Sequence, residues 1–312
     1  MSPPTADRPL VTAVVPTHDR PEGLVRAVES IREQRYRPLE LVVVDDNPST
    51  PAEELLANVE LSGLERVRCV RGHDHDGAGA ARNTGIAAAR GEYVAFLDDD
   101  DRWIDGRIER AVSVLERDPD VGVVYSGTRE LHEDGERRRV PPAVDDLTAA
   151  LFCRNVVGSM SVVTVRTDLA RSVPIDETMP AWEDIDWYLQ LSLETTFHRI
   201  ADPLVVRDMT SEDRLSADFD RAHEAHRRFV EKNAPLAAER GWLAGRRLRG
   251  WSAYRAGRDG LNTGRYAGAR SDLLRAFLAY PLEPRFLTYL LASLGGRTTH
   301  RVARTARDWL ST

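Results

Sequence analysis

The run Leu39-Glu40-Leu41-Val42-Val43-Val44 is apolar at five of its six positions. Such a run suits a short strand buried on both faces, and a strand of that kind needs covering layers above and below it. The flanking sequence supplies more strands and the cover. Leu10 to Val15, Val67 to Val70, Tyr93 to Leu97 and Val121 to Tyr125 also read as strands. Between them lie helical patterns at Glu22 to Glu33 (apolar at Leu24, Val25, Val28 and Ile31), Glu53 to Leu61, Gly77 to Ala89 and Ile104 to Glu116. Strand and helix alternate at βαβ spacing, so the chain up to Tyr125 is expected to form a parallel, doubly wound α/β sheet.

Ligands of such sheets sit beyond the carboxyl ends of the strands. Three polar clusters fall there: Thr17-His18-Asp19, Asp45-Asp46-Asn47 and Asp98-Asp99-Asp100-Asp101. The last follows the apolar Val94, Phe96 and Leu97 directly. Four adjacent carboxylates repel one another unless cations neutralise them. Hard oxygen ligands suit Mg²⁺ or Mn²⁺, which keep one or two protein carboxylates and complete their shell with phosphate oxygens and water. A solvated acidic turn is the competing reading, and spacing alone leaves both open.

Composition narrows the classes. The 312 residues carry a formal net charge of −7, which argues against a nucleic-acid binder. Lys232 is the sole lysine among 43 basic residues, a usage that points to a GC-rich genome. Cys69 and Cys153 lie in apolar stretches and read as reduced core residues of an intracellular protein. Residues 1–9 read as a flexible leader without signal-peptide character, and the longest apolar candidate, Phe286 to Leu294, is too short to span a bilayer. After Tyr125, Gly158 to Val165 reads as a strand and Asp184 to Leu193 as a helix. From Asp218 onward helical patterns dominate, with breaks expected at Asn233 to Pro235, Gly241, Gly257 to Gly264 and Pro281 to Pro284. From Arg240 to the end there are fourteen arginines and four acids. Tyr280, Phe286, Leu287, Tyr289, Leu290, Leu291 and Leu294 form an apolar cluster there, flanked or followed by Arg285, Arg297, Arg301, Arg304 and Arg307. This segment fits either an interfacial helix on an anionic membrane or a subdomain packed on the rest of the chain.

Five motifs occur in order: Val11 to Arg20, Glu40 to Asn47, Gly79-Ala80-Ala81-Arg82-Asn83-Thr84-Gly85, Phe96 to Trp103 and Trp182-Glu183-Asp184-Ile185-Asp186. Together they resemble the inverting family 2 glycosyltransferases. The resemblance implies a GT-A-type doubly wound, mainly parallel sheet over residues 10–217, with a nucleotide-binding half at 10–125 and an acceptor half at 126–217, and a helical extension at 218–312. It implies metal-dependent transfer of a sugar, in the hexosyltransferase class, from a nucleoside diphosphate sugar (UDP by default) to a hydroxyl of a glycan or lipid-linked acceptor. The setting it implies is the cytoplasm or the cytoplasmic face of a membrane.

The same resemblance implies the site. Pro16, His18 and Asp46 would bind the nucleotide, Asp46 accepting from a base N–H and His18 stacking on the base. Arg82 follows a Gly-rich turn near a helix start, a suitable place to meet phosphate oxygens. Asp98 and Asp99 would face the ribose or order the metal's water shell, and Asp100 would hold Mn²⁺ or Mg²⁺. Asp101 is expected to cap the helix near Ile104. Asp184 would be the base that takes the acceptor proton, with a helix cap as its competing reading. Gly158-Ser159 would line the acceptor site. Arg207 would reach the diphosphate, although Met209 stands where relatives carry a histidine. A non-catalytic nucleotide or glycan binder would keep the fold without the reaction. A sugar-1-phosphate nucleotidyltransferase would need a Gly-rich loop after the first strand, where this chain has Pro16-Thr17-His18-Asp19-Arg20.

Overall fold

The structure, a computed structural model, describes residues 8–47, 50–72, 77–210 and 219–294. It contains two compact units. The first comprises Met1–Leu147, Val156–Glu177 and Glu183–Glu212; the second comprises Thr148–Asn155, Thr178–Trp182 and Asp213–Thr312.

The first unit is built on a nine-stranded sheet. Its elements in chain order are β1 (Val11–Thr17), α1 (Pro21–Arg32), β2 (Leu39–Asp45), α2 (Ala52–Leu56), β3 (Arg66–Arg71), α3 (Gly77–Ala88), β4 (Tyr93–Phe96), β5 (Asp101–Trp103), α4 (Arg107–Arg117), β6 (Val121–His132) and β7 (Gly135–Arg139). After α5 (Leu147–Cys153) come β8 (Val163–Arg166), α6 (Thr167–Ser172), α7 (Glu183–Glu194) and β9 (Thr196–Asp208). The strand order is β3-β2-β1-β4-β8-β6-β9-β5, with β7 pairing β6. β1 to β4 are mutually parallel, in register Val11 opposite Leu39 and Tyr93. All seven residues of β2 are buried, as a strand covered on both faces requires. α1 starts with Pro21, whose fixed φ suits a first helical position, and turns Leu24, Ala27, Val28 and Ile31 inward.

The mainly parallel α/β class holds, but the parallel run ends at β4. β8 is inserted antiparallel between β4 and β6, so β6 is not the fifth strand of a simple series. Two further expectations fail here. Asp101 caps no helix: it lies in β5, paired with Arg207 of β9, and the residue before α4 is Gly106. Arg8 and Pro9 are not loose leader. Arg8 pairs with Glu109 at 2.8 Å, and Tyr36 donates to the Pro9 carbonyl at 2.6 Å.

The second unit contains α8 (Phe219–Glu239), α9 (Trp242–Asn262), α10 (Tyr266–Ala279) and α11 (Pro284–Leu294). One expected break is absent and another falls only at the end of its span, at Thr263-Gly264. Pro235 lies inside α8, and α9 runs through Gly257 to Asn262. Gly257 serves packing instead: a Cβ there would lie 2.6 Å from Leu273 Cγ and 3.0 Å from the Ala269 carbonyl oxygen, so the glycine lets α10 approach. Trp251, Tyr254, Leu273 and Phe286 form the core, with Tyr254 stacked on Phe286 at 5.1 Å. The apolar cluster of the last helix therefore divides. Phe286 is buried and Tyr289 and Leu290 pack against this core, while Leu287, Leu291 and Leu294 are exposed, as are Leu274, Leu278 and Leu282. Arg297, Arg301, Arg304 and Arg307 lie outside the described residues. Cys69 and Cys153 are free thiols, half-buried rather than in the cores. Among the described residues no helix is long and apolar enough to cross a membrane.

Candidate active site

The three polar clusters meet at the carboxyl ends of β1, β2 and β4. Asp99 carries much of the junction. Its Oδ2 accepts from Thr17 Oγ1 at 2.9 Å and from the His18 N–H at 3.4 Å, and its Oδ1 accepts from Arg20 Nη1 at 3.1 Å. His18 Nδ1 lies 2.8 Å from the Asp46 carbonyl oxygen, and the Asp19 N–H donates to Asn47 Oδ1 at 2.6 Å. Asp19 sits at φ 53°, a left-handed geometry that Asp tolerates better than most residues. Pro16 pairs with Val44 one step before these contacts.

At the end of β2 the two aspartates divide the work. Asp45, not Asp46, makes the Asx-type turn: its Oδ1 accepts from Asn47 N–H at 2.9 Å and its Oδ2 from Ala52 N–H at 2.9 Å, the latter at the start of α2. Asp46 packs over Gly72, where a Cβ would fall 1.7 Å from Asp46 Oδ1. Gly72 thus makes room for the carboxylate, a role nothing in its local sequence announces.

The acidic run is bound on every side. Asp98 N–H donates to Ser161 Oγ at 3.0 Å, and Asp98 Oδ1 accepts from Arg82 Nη2 at 2.8 Å. Arg82 Nη1 donates to Glu183 Oε1 at 3.0 Å. Arg82 is buried and bridges the acidic loop to the Glu183-Asp184 pair, so it is neither an exposed helix arginine nor open toward a phosphate. Burial alone would lower its pKa, but Asp98 and Glu183 raise it and keep it charged. Burial likewise opposes ionisation of Asp98, and Arg82 outweighs it and holds the pKa down. Asp99 is pushed up to about 6 by burial despite Arg20. Asp101 is pushed up to about 7, by burial first and with Arg207 opposing; Arg207 Nε lies 3.4 Å from its Oδ2.

Asp184 lies in the first turn of α7, which is anchored below by Trp187. That ring meets Phe96 of β4 edge-on at 5.7 Å and donates from Nε1 to the Val173 carbonyl at 2.6 Å. Asp184 Oδ1 accepts from the Ile185 N–H at 2.6 Å. Its surroundings and the adjacent Glu183 push it up to about 7, the range in which a carboxyl group can exchange protons near neutrality.

Asp98, Asp100 and Asp101 each offer an oxygen within 4.8 Å of the others. All donors are hard carboxylate oxygens, and Asp101 Oδ2 is buried with no hydrogen-bond partner. This donor set fits Mg²⁺ or Mn²⁺. Sequence reasoning named Asp98, Asp99, Asp100, Arg82, Glu183 and Asp184, but missed Arg20, Ser161 and Gly72 as contacts. It also missed Asn83, which clamps α3 to the loop after α6 by donating to the Ile175 carbonyl at 2.8 Å and accepting from the Ile175 N–H at 3.0 Å. Ser159 is half-buried beside Gly158, and Met209 N–H is spent on the Leu131 carbonyl at 2.8 Å.

Comparison with known proteins gives a consistent picture. The description "Glycosyl transferase family 2" matches residues 12–159. The amylovoran biosynthesis glycosyltransferase AmsB of Erwinia amylovora is 28% identical over 206 residues, 62% of this chain and 67% of that protein. TarS of S. aureus, residues 1–349, superposes with a TM-score of 0.63 at 17% identity, covering 90% of this chain and 83% of that one. The mannosyltransferase PcManGT of Pyrobaculum calidifontis, solved with GDP-Man and Mn²⁺, gives 0.56 at 21% identity, covering 94% and 86%. At these identities the two solved structures speak to the fold.

Proposed function

We propose that this chain, matched over residues 12–159 by the family 2 glycosyltransferase description and carrying a GT-A fold, moves a sugar from a nucleoside diphosphate sugar to an acceptor hydroxyl with inversion at the anomeric carbon. The observation that carries the reading is the Arg82 bridge. It ties the acidic loop to the Glu183-Asp184 pair through contacts of 2.8 and 3.0 Å, so a donor diphosphate at the first faces a candidate base at the second.

The roles follow from each group's surroundings. Asp46, packed over Gly72, accepts a hydrogen bond from the base; His18, its ring on the surface and its Nδ1 tied to the Asp46 carbonyl, flanks the same face. Pro16 is the last residue but one of β1, which leads into His18. Asp100, with Asp98 and Asp101 beside it, would hold Mn²⁺ or Mg²⁺, which when bound would neutralise charge building on the departing diphosphate. Asp99 fixes the loop instead of reaching ligand, because Thr17, His18 and Arg20 use both its oxygens. Arg207 is a second cation near the diphosphate, parked on Asp101. Asp184 takes the proton from the acceptor hydroxyl while its oxygen bonds to C1 and the bond from C1 to the diphosphate oxygen breaks. Attack from the face opposite the leaving group inverts the centre. Arg82 holds Glu183, and hence the start of α7, in place while this happens.

UDP is the default base, and TarS has been solved with UDP-GlcNAc. PcManGT carries GDP-Man, so a guanine nucleotide is the alternative. We assign residues 10–217 to transfer, in two halves meeting near residue 125, and 218–312 to a helical extension. A lipid-linked or surface-glycan acceptor is the class we favour, in keeping with AmsB's role in amylovoran biosynthesis. The exposed face of α10 and α11 supports contact with an anionic lipid surface. Leu274, Leu278, Leu287 and Leu291 are exposed, the exposed charges there include Arg270, Arg275 and Arg285, and the acids Asp272 and Glu283 are tied to arginines. Donor-dependent release of nucleoside diphosphate on adding acceptor tests the reaction; a protein that binds the donor but never releases diphosphate would be a binding module instead. Co-sedimentation with anionic vesicles tests the surface, and failure to bind at low salt would assign the helices to packing alone.

A further inference from the structure

Four adjacent carboxylates need counter-charge, and the chain supplies its own. Arg82 Nη2 lies 2.8 Å from Asp98, Arg207 Nε lies 3.4 Å from Asp101, and Arg20 Nη1 lies 3.1 Å from Asp99 Oδ1 and 3.1 Å from Asp100 Oδ2. These three arginines come from the residue before α1, from α3 and from β9. The pairs are unequal. Arg82 and Asp101 are buried, whereas the side chains of Arg20 and Asp100 are each 32% exposed. The Arg20–Asp100 contact is therefore the weakest of the set. It also engages the carboxylate that the proposed function gives to the metal. A divalent ion taking Asp100 must displace a permanent cation from it or sit beside that cation and be repelled.

We propose that Arg20 is a built-in counter-cation of the metal site, which holds Asp100 in the metal-free protein and competes with the metal for it. The free protein then keeps its acidic loop compact without an ion and takes one up only by giving up this pair. Asp99 gives the arginine a second anchor, so the guanidinium stays next to the site when Asp100 leaves it. The inference rests on the assignment of Asp100 as a metal ligand.

The test is Mn²⁺ alone titrated into full-length protein, with free Mn²⁺ read by electron paramagnetic resonance. Four variants are compared with the parent: Arg20→Gln, Arg20→Lys, Arg26→Gln and Asp100→Asn. Arg26 lies on α1, is 53% exposed and pairs with Glu22, so its loss removes one positive charge without touching the acidic run. Arg20→Gln should bind Mn²⁺ about two- to fivefold tighter, the scale of a partly exposed ion pair. Arg20→Lys, with the charge kept and the planar fork lost, should fall between it and the parent, and it carries the test if the Gln variant folds poorly. Arg26→Gln should shift affinity by less than about twofold, because exposed charges at a distance are screened. Asp100→Asn should weaken binding. If Asp100→Asn loses Mn²⁺ while the Arg20 variants bind it no tighter than the parent, the counter-cation role is wrong and the metal site stands. An equal gain in Arg26→Gln would reduce the effect to general charge and also overturn the role. If Asp100→Asn binds as the parent does, the metal assignment fails and the inference fails with it.

Discussion

Asp184 should destabilise the fold it serves. Its carboxyl group is pushed from an ordinary 3.8 up to about 7, by its enclosing surroundings and by Glu183. A carboxyl whose folded pKa is raised favours the fold while protonated, and that benefit is lost as pH rises through the folded value. The difference of about three on the pH scale, at about 1.36 kcal/mol each, sets a ceiling near 4 kcal/mol. The charges of Glu183, Asp98 and Arg82 set part of this penalty, and solvent screens another part, so about 1–2 kcal/mol belongs to this residue. Asp184→Asn, which cannot ionise, should therefore melt about 2–6 °C above the parent at pH 8–9. The gain should shrink steadily as pH falls below about 7 and vanish only below the ordinary value of 3.8, where the parent is protonated in both states. The same variant should lose about 10²- to 10⁴-fold in turnover while keeping donor affinity, and the parent's rate should climb through an acid limb near pH 7. Thermal melts of both proteins from pH 4 to 9, with turnover at each pH, check the chain of reasoning. A parent that is more stable than Asp184→Asn at pH 8, with unchanged turnover per folded molecule, would mark the carboxylate as a stabilising helix-start contact and refute the base assignment.

Other consequences are more local. Asp100→Ala should abolish metal-stimulated donor binding, seen by calorimetry with and without Mn²⁺, and leave the melting temperature within a few degrees of the parent's. Arg82→Met should cost about 3–5 kcal/mol in denaturant unfolding, because it strands Asp98 and Glu183 without their shared cation; a loss under 1 kcal/mol would show that the bridge is dispensable. Gly72→Ala should weaken nucleotide binding at least tenfold with little change in stability, since the new Cβ must push the Asp46 carboxylate aside. Undiminished binding in that variant would remove Asp46 from the base-binding role.

What the sequence disclosed and what it hid follow from the range of the interactions. β1 to β4 and the helices between them were legible because each apolar run or stripe is a local pattern, and their register brings the three polar clusters to one edge. The insertion of β8 between β4 and β6 was not legible, because it rests on pairing between Tyr93 and Arg166, far apart in the chain. Asp101 looked like a cap because a helix pattern follows it, but a three-residue strand against β9 intervenes. Gly257 and Pro235 looked like breaks because propensity is local; in α9 close contact with Leu273 reverses the meaning of the glycine. In the site, residue types were legible and pairings were not. Arg82 reaches Glu183 across 101 positions, and Arg20 reaches Asp99 across 79, distances at which no spacing rule operates.

The central claim is that this edge of the sheet binds a nucleoside diphosphate through a metal held at Asp100. Calorimetry of the full-length protein with UDP, GDP, dTDP, ADP and CDP, each with Mn²⁺ and with a chelator, addresses it directly. The account predicts that one diphosphate, UDP first, binds in the micromolar range with Mn²⁺, and that chelation or Asp100→Ala removes the binding. Failure of all five to bind in the presence of Mn²⁺, by a protein whose melt shows it folded, would contradict it.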